Sequence, residues 1–235
     1  MKKFFAHPLF YGVFALLGLC GMGLQYWFLA DAPGADGLLV PGHPALILTL
    51  VLLAGVLALA IWSCPHIRTP QLSVPIRSAG AALGGIFCAV AAVVLLQKGN
   101  YLSFILCVLS TVSSFYILRS QLRHRKPHFA SYAVFALCFM FYLISRYRVY
   151  SAEPETARYA FKILALVCTM LVFYQQAAIR GGTGRFASYH IWRSMTLFLT
   201  LTAMPSSGNP KLYLSAAMWL LVDPLPRPKA KEEGK

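Results

Sequence analysis

Six stretches of this chain run for about twenty residues with almost no charge, at 9–30, 44–63, 78–97, 101–118, 129–145 and 159–179. The apolar core of a bilayer is crossed by a helix of about 20 residues, with roughly 17 to 25 acceptable. Each run is therefore long enough, or nearly so, to span a membrane. Two shorter runs follow at 189–204 and 211–222. At 1.5 Å per residue they reach only about 24 and 18 Å. They are read either as short tilted partners of the longer helices or as a re-entrant hairpin buried against the bundle.

Composition closes the soluble alternatives. Hydrophobic residues make up 58% of the 235 and charged residues 12%, with a mean hydropathy of +0.64. A charged share about half that of an ordinary globular protein cannot cover a compact soluble surface. Disorder and a disulfide-stapled secreted fold fail on the same numbers. The fold expected is all-α: a polytopic transmembrane bundle of about eight segments. Residues 1–222 would form one integral membrane domain and 223–235 a short basic tail.

The connections have physical causes. Asp31, Pro33, Gly34, Asp36 and Gly37 end the first run, and Pro65, Pro70 and Pro75 interrupt the chain after the second, because proline lacks the amide a continuous helix needs. Lys98-Gly99-Asn100 is so short that it predicts an antiparallel pair. The first run is 22 residues, longer than a cleaved signal segment, so it is expected to stay in the protein. Tyr26 and Trp27 near its end suit an interfacial anchor.

Lys and Arg total 21 against 7 Asp and Glu, giving a net charge of +14. The basic residues lie in short segments between apolar runs, so they point to anionic lipid rather than to nucleic acid. Taken in alternate connections, Lys2, Lys3, Arg68, Arg77, Arg119, Arg123, Arg125, Lys126, Arg180, Arg185, Arg193 and the tail cations outnumber Lys98, Arg146, Arg148, Arg158, Lys162 and Lys211. The richer set is expected inside, which places both termini in the cytoplasm and requires an even number of crossings. Eight fit, as do six with a re-entrant hairpin. A bacterial-type cytoplasmic membrane is the expected location.

No acidic residue falls in the middle of a run, which argues against a proton relay at membrane depth. No H-E-x-x-H, G-x-S-x-G or P-loop pattern occurs, and the six cysteines lack C-x-x-C spacing. No metal, cofactor or catalytic residue is therefore expected. The 181–185 stretch, Gly-Gly-Thr-Gly-Arg, reads first as a helix stop and second as a weak phosphate loop. His190, like most of the histidines, reads as interfacial.

The clearest positive pattern lies in the sixth run. Lys162, Thr169 and Gln176 recur every seven residues and share one helix face, with Arg158 one turn from Lys162. Arg146 and Arg148 end the fifth run on the same side of the membrane. Together these six could bind an anion or a lipid headgroup. The alternative is that Lys162 and the arginines snorkel to the interface while Thr169 and Gln176 bond neighbouring helices. Milder stripes lie on other runs: Ser103, Cys107, Ser110 and Ser114; Gly80 and Gly84; Gly18, Gly21 and Gln25; Arg193, Thr196 and Thr200. Packing is their default reading.

Three function classes follow. The first is a small transporter or permease-type protein for a small or anionic solute. The second is a non-catalytic subunit that assembles with a partner membrane protein or with copies of itself. A lipid-modifying enzyme is the third, and it lacks a visible acid–base pair.

Overall fold

The computed structural model describes residues 10–31, 42–66, 74–97, 99–123, 127–150, 156–207 and 209–222. Their helices are α1 (Phe10–Asp31), α2 (Pro44–Ser63), α3 (Val74–Gln97), α4 (Tyr101–Leu122), α5 (Phe129–Tyr150), α6 (Thr156–Gly181), α7 (Phe186–Thr202) and α8 (Pro210–Val222). A single 3₁₀ turn, Cys64–His66, follows α2. Helices α1 to α6 are long and apolar enough to cross a membrane; α7 and α8 are not. The basic tail expected at 223–235 lies outside the described residues.

Helix ends follow from local chemistry. Pro44 opens α2 where its missing amide costs nothing, and the His43 ring accepts the Ala45 amide at 3.3 Å. The Asn100 side chain accepts the Ser103 amide at the start of α4. Gly99 and Gly182, at φ +69° and +91°, close α3 and α6 with left-handed turns whose amides return to the last helical carbonyls. Helices α4 and α5 each run several residues beyond their apolar windows, since Arg119, Gln121 and Arg146 favour helix as readily as leucine does.

The short pair sits inside the long ones. Helix α7 packs on α1, α2, α6 and α8, and from Arg193 to Thr202 every one of its residues is buried. Helix α8 packs on α3 and α7, and its Trp219 reaches Ser114 of α4, Phe135 of α5 and Phe173 of α6. The outward faces of α1 to α6 carry exposed leucine, isoleucine, valine and aromatic residues, among them Leu16, Val51, Ile86, Val112 and Tyr174. Such a belt suits lipid and not water.

Close approach is set by glycine. A Cβ on Gly18 would meet the Phe198 carbonyl at 3.0 Å, and one on Gly21 would overlap the Thr202 hydroxyl. Gly84 of α3 likewise receives the Trp219 ring. The contacts Tyr11–His190, Gly18–Phe198 and Gly21–Thr202 make α1 and α7 parallel and fix their register. Helix α7 therefore ends level with the middle of α1, which continues ten residues to Asp31, about 15 Å further.

Candidate functional site

At the end of the bundle where α1 and α7 begin, four polar side chains meet out of contact with solvent. The Tyr11 hydroxyl lies 2.9 Å from His190 Nδ1, and Ser63 Oγ lies 3.0 Å from His190 Nε2. Ser63 also donates to the Ala60 carbonyl at 3.1 Å. With the serine hydrogen used there, Nε2–H donates to Ser63 and the tyrosine hydroxyl donates to Nδ1. Every polar hydrogen then has an acceptor, which is what makes burial of an imidazole affordable. Three helices meet at this one ring: α1 through Tyr11, α2 through Ser63 and α7 through His190.

Arg193, one turn along α7, completes the cluster. Its guanidinium lies 3.8 Å from the centre of the Tyr11 ring. Nε donates to the Leu220 carbonyl at 2.7 Å and Nη2 to the Leu221 carbonyl at 3.4 Å. The last carbonyls of any helix lack intrahelical partners and carry its negative dipole end. A buried cation at the C-terminus of α8 therefore satisfies both needs and pins the two short helices together. The threonines of α7 are turned onto their own helix: Thr196, Thr200 and Thr202 donate to carbonyls four residues back at 2.7 to 2.9 Å.

The residues singled out in the sixth run divide. Lys162, Thr169 and Gln176 are all buried, at 4%, 1% and 0% exposure. They share the face of α6 that carries Phe173, which stacks on Phe135 and Phe139 of α5 and meets the edge of Trp219 in α8. That face points into the bundle. The Lys162 ammonium rests 4.4 Å from the centre of the Tyr159 ring, and Thr169 donates to the Ala165 carbonyl at 2.6 Å. Arg146 is half-buried on α5, where its Nε donates to the Tyr142 hydroxyl at 3.3 Å. Arg148 and Arg158 fall on helical backbone, and their side chains lie outside the described residues.

Two other readings of the sequence are settled locally. The amides of Gly182, Thr183 and Gly184 bond the Ile179 and Ala178 carbonyls, so these three residues of the 181–185 stretch form a helix stop and their amides are already used. His190 is not interfacial; it is fully buried. Sequence reasoning missed it because the alternation of charge placed it at an end of the chain's seventh segment. The available signal was a histidine and an arginine at i and i+3 in a helix too short to hold either clear of the bundle. Among the described residues no three His, Cys, Asp or Glu side chains gather in a metal-holding group.

Comparison with protein-family descriptions, with curated proteins and with solved structures finds no match to this chain. Its chemistry is read from its own residues.

Proposed function

We propose that this multi-pass membrane protein is a small permease-type protein for a small anionic solute. The observation that carries this reading is the inward face of α6, where Lys162, Thr169 and Gln176 are buried among other helices instead of facing lipid. An ionisable group inside a membrane bundle is costly and is normally retained for a function. Lys162 lies toward the end of α6 where Arg146 closes α5, and Arg148 and Arg158 belong to the same pair of helix ends. These three arginines would attract an anion to the mouth, and Lys162 would receive it. Arg119, Arg123, Arg180 and Arg185 crowd the opposite end. The excess of positive charge there supports placing that end in the cytoplasm of a bacterial-type membrane, with both termini inside. The recessed end of α7 supports six crossings with α7 and α8 as a re-entrant hairpin.

The test is anion flux into proteoliposomes holding the purified protein, measured with labelled acetate, lactate and inorganic phosphate. Flux above protein-free vesicles that falls at least tenfold in Lys162→Ala, with the variant still folded, is expected. If no anion in the panel is carried, the reading fails. A partner-subunit role is the second reading, and α2 favours it. Among the described residues that helix packs chiefly on α1 and α7 and leaves Ile47, Leu48, Val51 and Ile61 exposed along its outer side. A second polypeptide copurifying at fixed ratio would support it.

A further inference from the structure

We infer that the facing thiols of Cys88 on α3 and Cys107 on α4 form a two-coordinate site for a soft monovalent metal ion, Cu(I), in the core of the bundle. The site stands apart from the permease reading and from the Tyr11–Ser63–His190 cluster.

Three of the four buried cysteines come together in space. Cys88, Cys107 and Cys138 are 2%, 3% and 5% exposed and belong to α3, α4 and α5. The Cys88 thiol donates to the Cys107 carbonyl at 3.5 Å, and the Cys107 thiol in turn donates to the Cys88 sulfur. Cys88 and Cys107 are 19 residues apart in the chain, so no spacing motif marks them; the antiparallel α3–α4 pair brings them face to face. Two sulfurs in contact across a helix pair already stand near the separation that a linear sulfur–metal–sulfur unit spans. On its other side Cys107 lines a cavity of about 10 Å³, room for one water-sized particle, which Cys138 and Ser110 also line. The Ser110 hydroxyl reaches the sulfurs of both Cys88 and Cys138. One serine thus links the facing pair to the third thiol across the cavity.

This donor set selects its ion. Thiolates favour Cu(I) and zinc over hard cations. A structural zinc ion takes four ligands, and among the described residues no three His, Cys, Asp or Glu side chains gather to begin such a set. Cu(I) is stable with two sulfurs in line. Mg²⁺ and Ca²⁺ need oxygen ligands, which the cavity wall of Leu106, Phe139 and Leu212 does not offer. On binding, both S–H bonds break, two Cu–S bonds form, the two protons leave to water and copper stays monovalent. The bound unit carries one negative charge, and a buried charge needs partners. Ser110 is placed to donate to a thiolate. Thr111 and Ser215 lie against the Cys88 sulfur and now donate to the Cys107 and Gly84 carbonyls at 2.9 and 2.8 Å. Turning either hydroxyl toward the thiolate adds a second donor. Arg146, whose Nε donates to the Tyr142 hydroxyl at 3.3 Å, supplies a cation beside the cavity that Tyr142 lines. Cys138 gives the ion a first contact in the cavity, from which it passes to the pair.

The experiment is titration of Cu(I) against the chromophoric chelator bicinchoninate, under ascorbate and without oxygen. The protein is the full chain in phosphatidylcholine nanodiscs, carrying Cys20→Ser and Cys64→Ser to remove the two thiols outside the core. Uptake of one Cu(I) per chain from the chelator is expected. Cys88→Ser and Cys107→Ser should each lower the affinity about a hundredfold or more, since even an outer partner of a metal site is worth about 10–100-fold. Cys138→Ser should keep the affinity and load more slowly. Cys168→Ser, which does not line the cavity, should change neither, and Zn(II) should not compete. Copper X-ray absorption of the loaded protein needs none of these four variants to fold, and should show two sulfur neighbours and no nitrogen. No uptake by the folded protein, nitrogen neighbours, or uptake that survives both Cys88→Ser and Cys107→Ser overturns the site. Binding lost in Cys138→Ser and kept in Cys88→Ser would move the ion into the cavity and overturn the pair.

Discussion

Replacing Arg193 by methionine should be the most damaging single change at the basic end of the bundle. The side chain makes a 2.7 Å charge-assisted bond to the Leu220 carbonyl, a longer 3.4 Å bond to Leu221, and a stacked contact 3.8 Å from the Tyr11 ring centre. A hydrogen bond involving a charged group contributes about 1.5–3 kcal/mol, and the second, longer one about half as much. Desolvated cation–π stacking adds roughly 1–2 kcal/mol. Removing a charge from low dielectric returns part of this, because the guanidinium no longer has to be buried. The net loss should be about 3 kcal/mol, or roughly 10 °C in midpoint for a chain of this length. Methionine fills much of the volume, so the loss reports the two orphaned carbonyls and not a cavity. Arg193→Lys keeps the charge but cannot fork to two carbonyls, and should lose about half as much. The assay is built into the protein: Cys88, Cys107, Cys138 and Cys168 are buried, so a thiol-reactive fluorophore in detergent reads unfolding directly. A shift below about 2 °C for Arg193→Met would refute the reasoning, since it would mean that the end of α8 is satisfied without this arginine.

Other substitutions test the packing and the polar cluster separately. Gly21→Ala should cost about 1–3 kcal/mol, because its Cβ overlaps the Thr202 hydroxyl. Gly23→Ala, two residues on with open space around it, should be neutral in the same melt. Tyr11→Phe removes the hydroxyl from His190 and should cost about 0.6–1 kcal/mol, the range for hydrogen bonds inside membranes; a larger loss would mean that the Ser63 contact falls with it. Burial pushes the Cys64 thiol above its ordinary 9.0. Because only the thiolate reacts, alkylation at Cys64 should be slower than at a free cysteine at pH 7 and still be rising above pH 9. A rate that levels off near pH 8 would contradict this. Membrane-impermeant reagents should reach Cys64 only from the cytoplasmic side, and labelling from outside would overturn the proposed orientation.

How far the sequence carries depends on which physical property it displays. Span α2 is legible to the residue, because Pro44 and the 3₁₀ turn after Ser63 bracket an uninterrupted apolar run. The antiparallel α3–α4 pair is legible because Gly99 can close a helix in the left-handed region and three residues leave no other path. The stripes on α1 and α3 are also visible, but not their partners. Gly18 and Gly21 receive α7, and Gly84 receives an indole ring; periodicity specifies a face and says nothing of what lies against it. The polar cluster was hidden for the same reason. Tyr11, Ser63 and His190 lie on three helices, far apart in the chain, and only tertiary packing brings them to one imidazole. Charge alternation even counted Arg193 among the solvent-facing cations, though it is 1% exposed. A count of charges does not distinguish a cation that faces lipid headgroups from one that ends a helix.

The two ends of α8 show how such a short helix can persist inside a membrane protein. A helix of 13 residues is about 20 Å long and cannot place both termini at the bilayer surfaces. At least one end must therefore be buried with its backbone groups unsatisfied unless side chains from other elements reach it. At the C-terminus the demand is met inside the protein, by a cation against two carbonyls. At the N-terminus the demand is smaller, because Pro210 has no amide hydrogen and both Pro210 and Lys211 are exposed. The end of α8 that calls for a partner from another helix is therefore the one that Arg193 completes, which is why the loss in Arg193→Met should report the end of α8 and not its apolar faces.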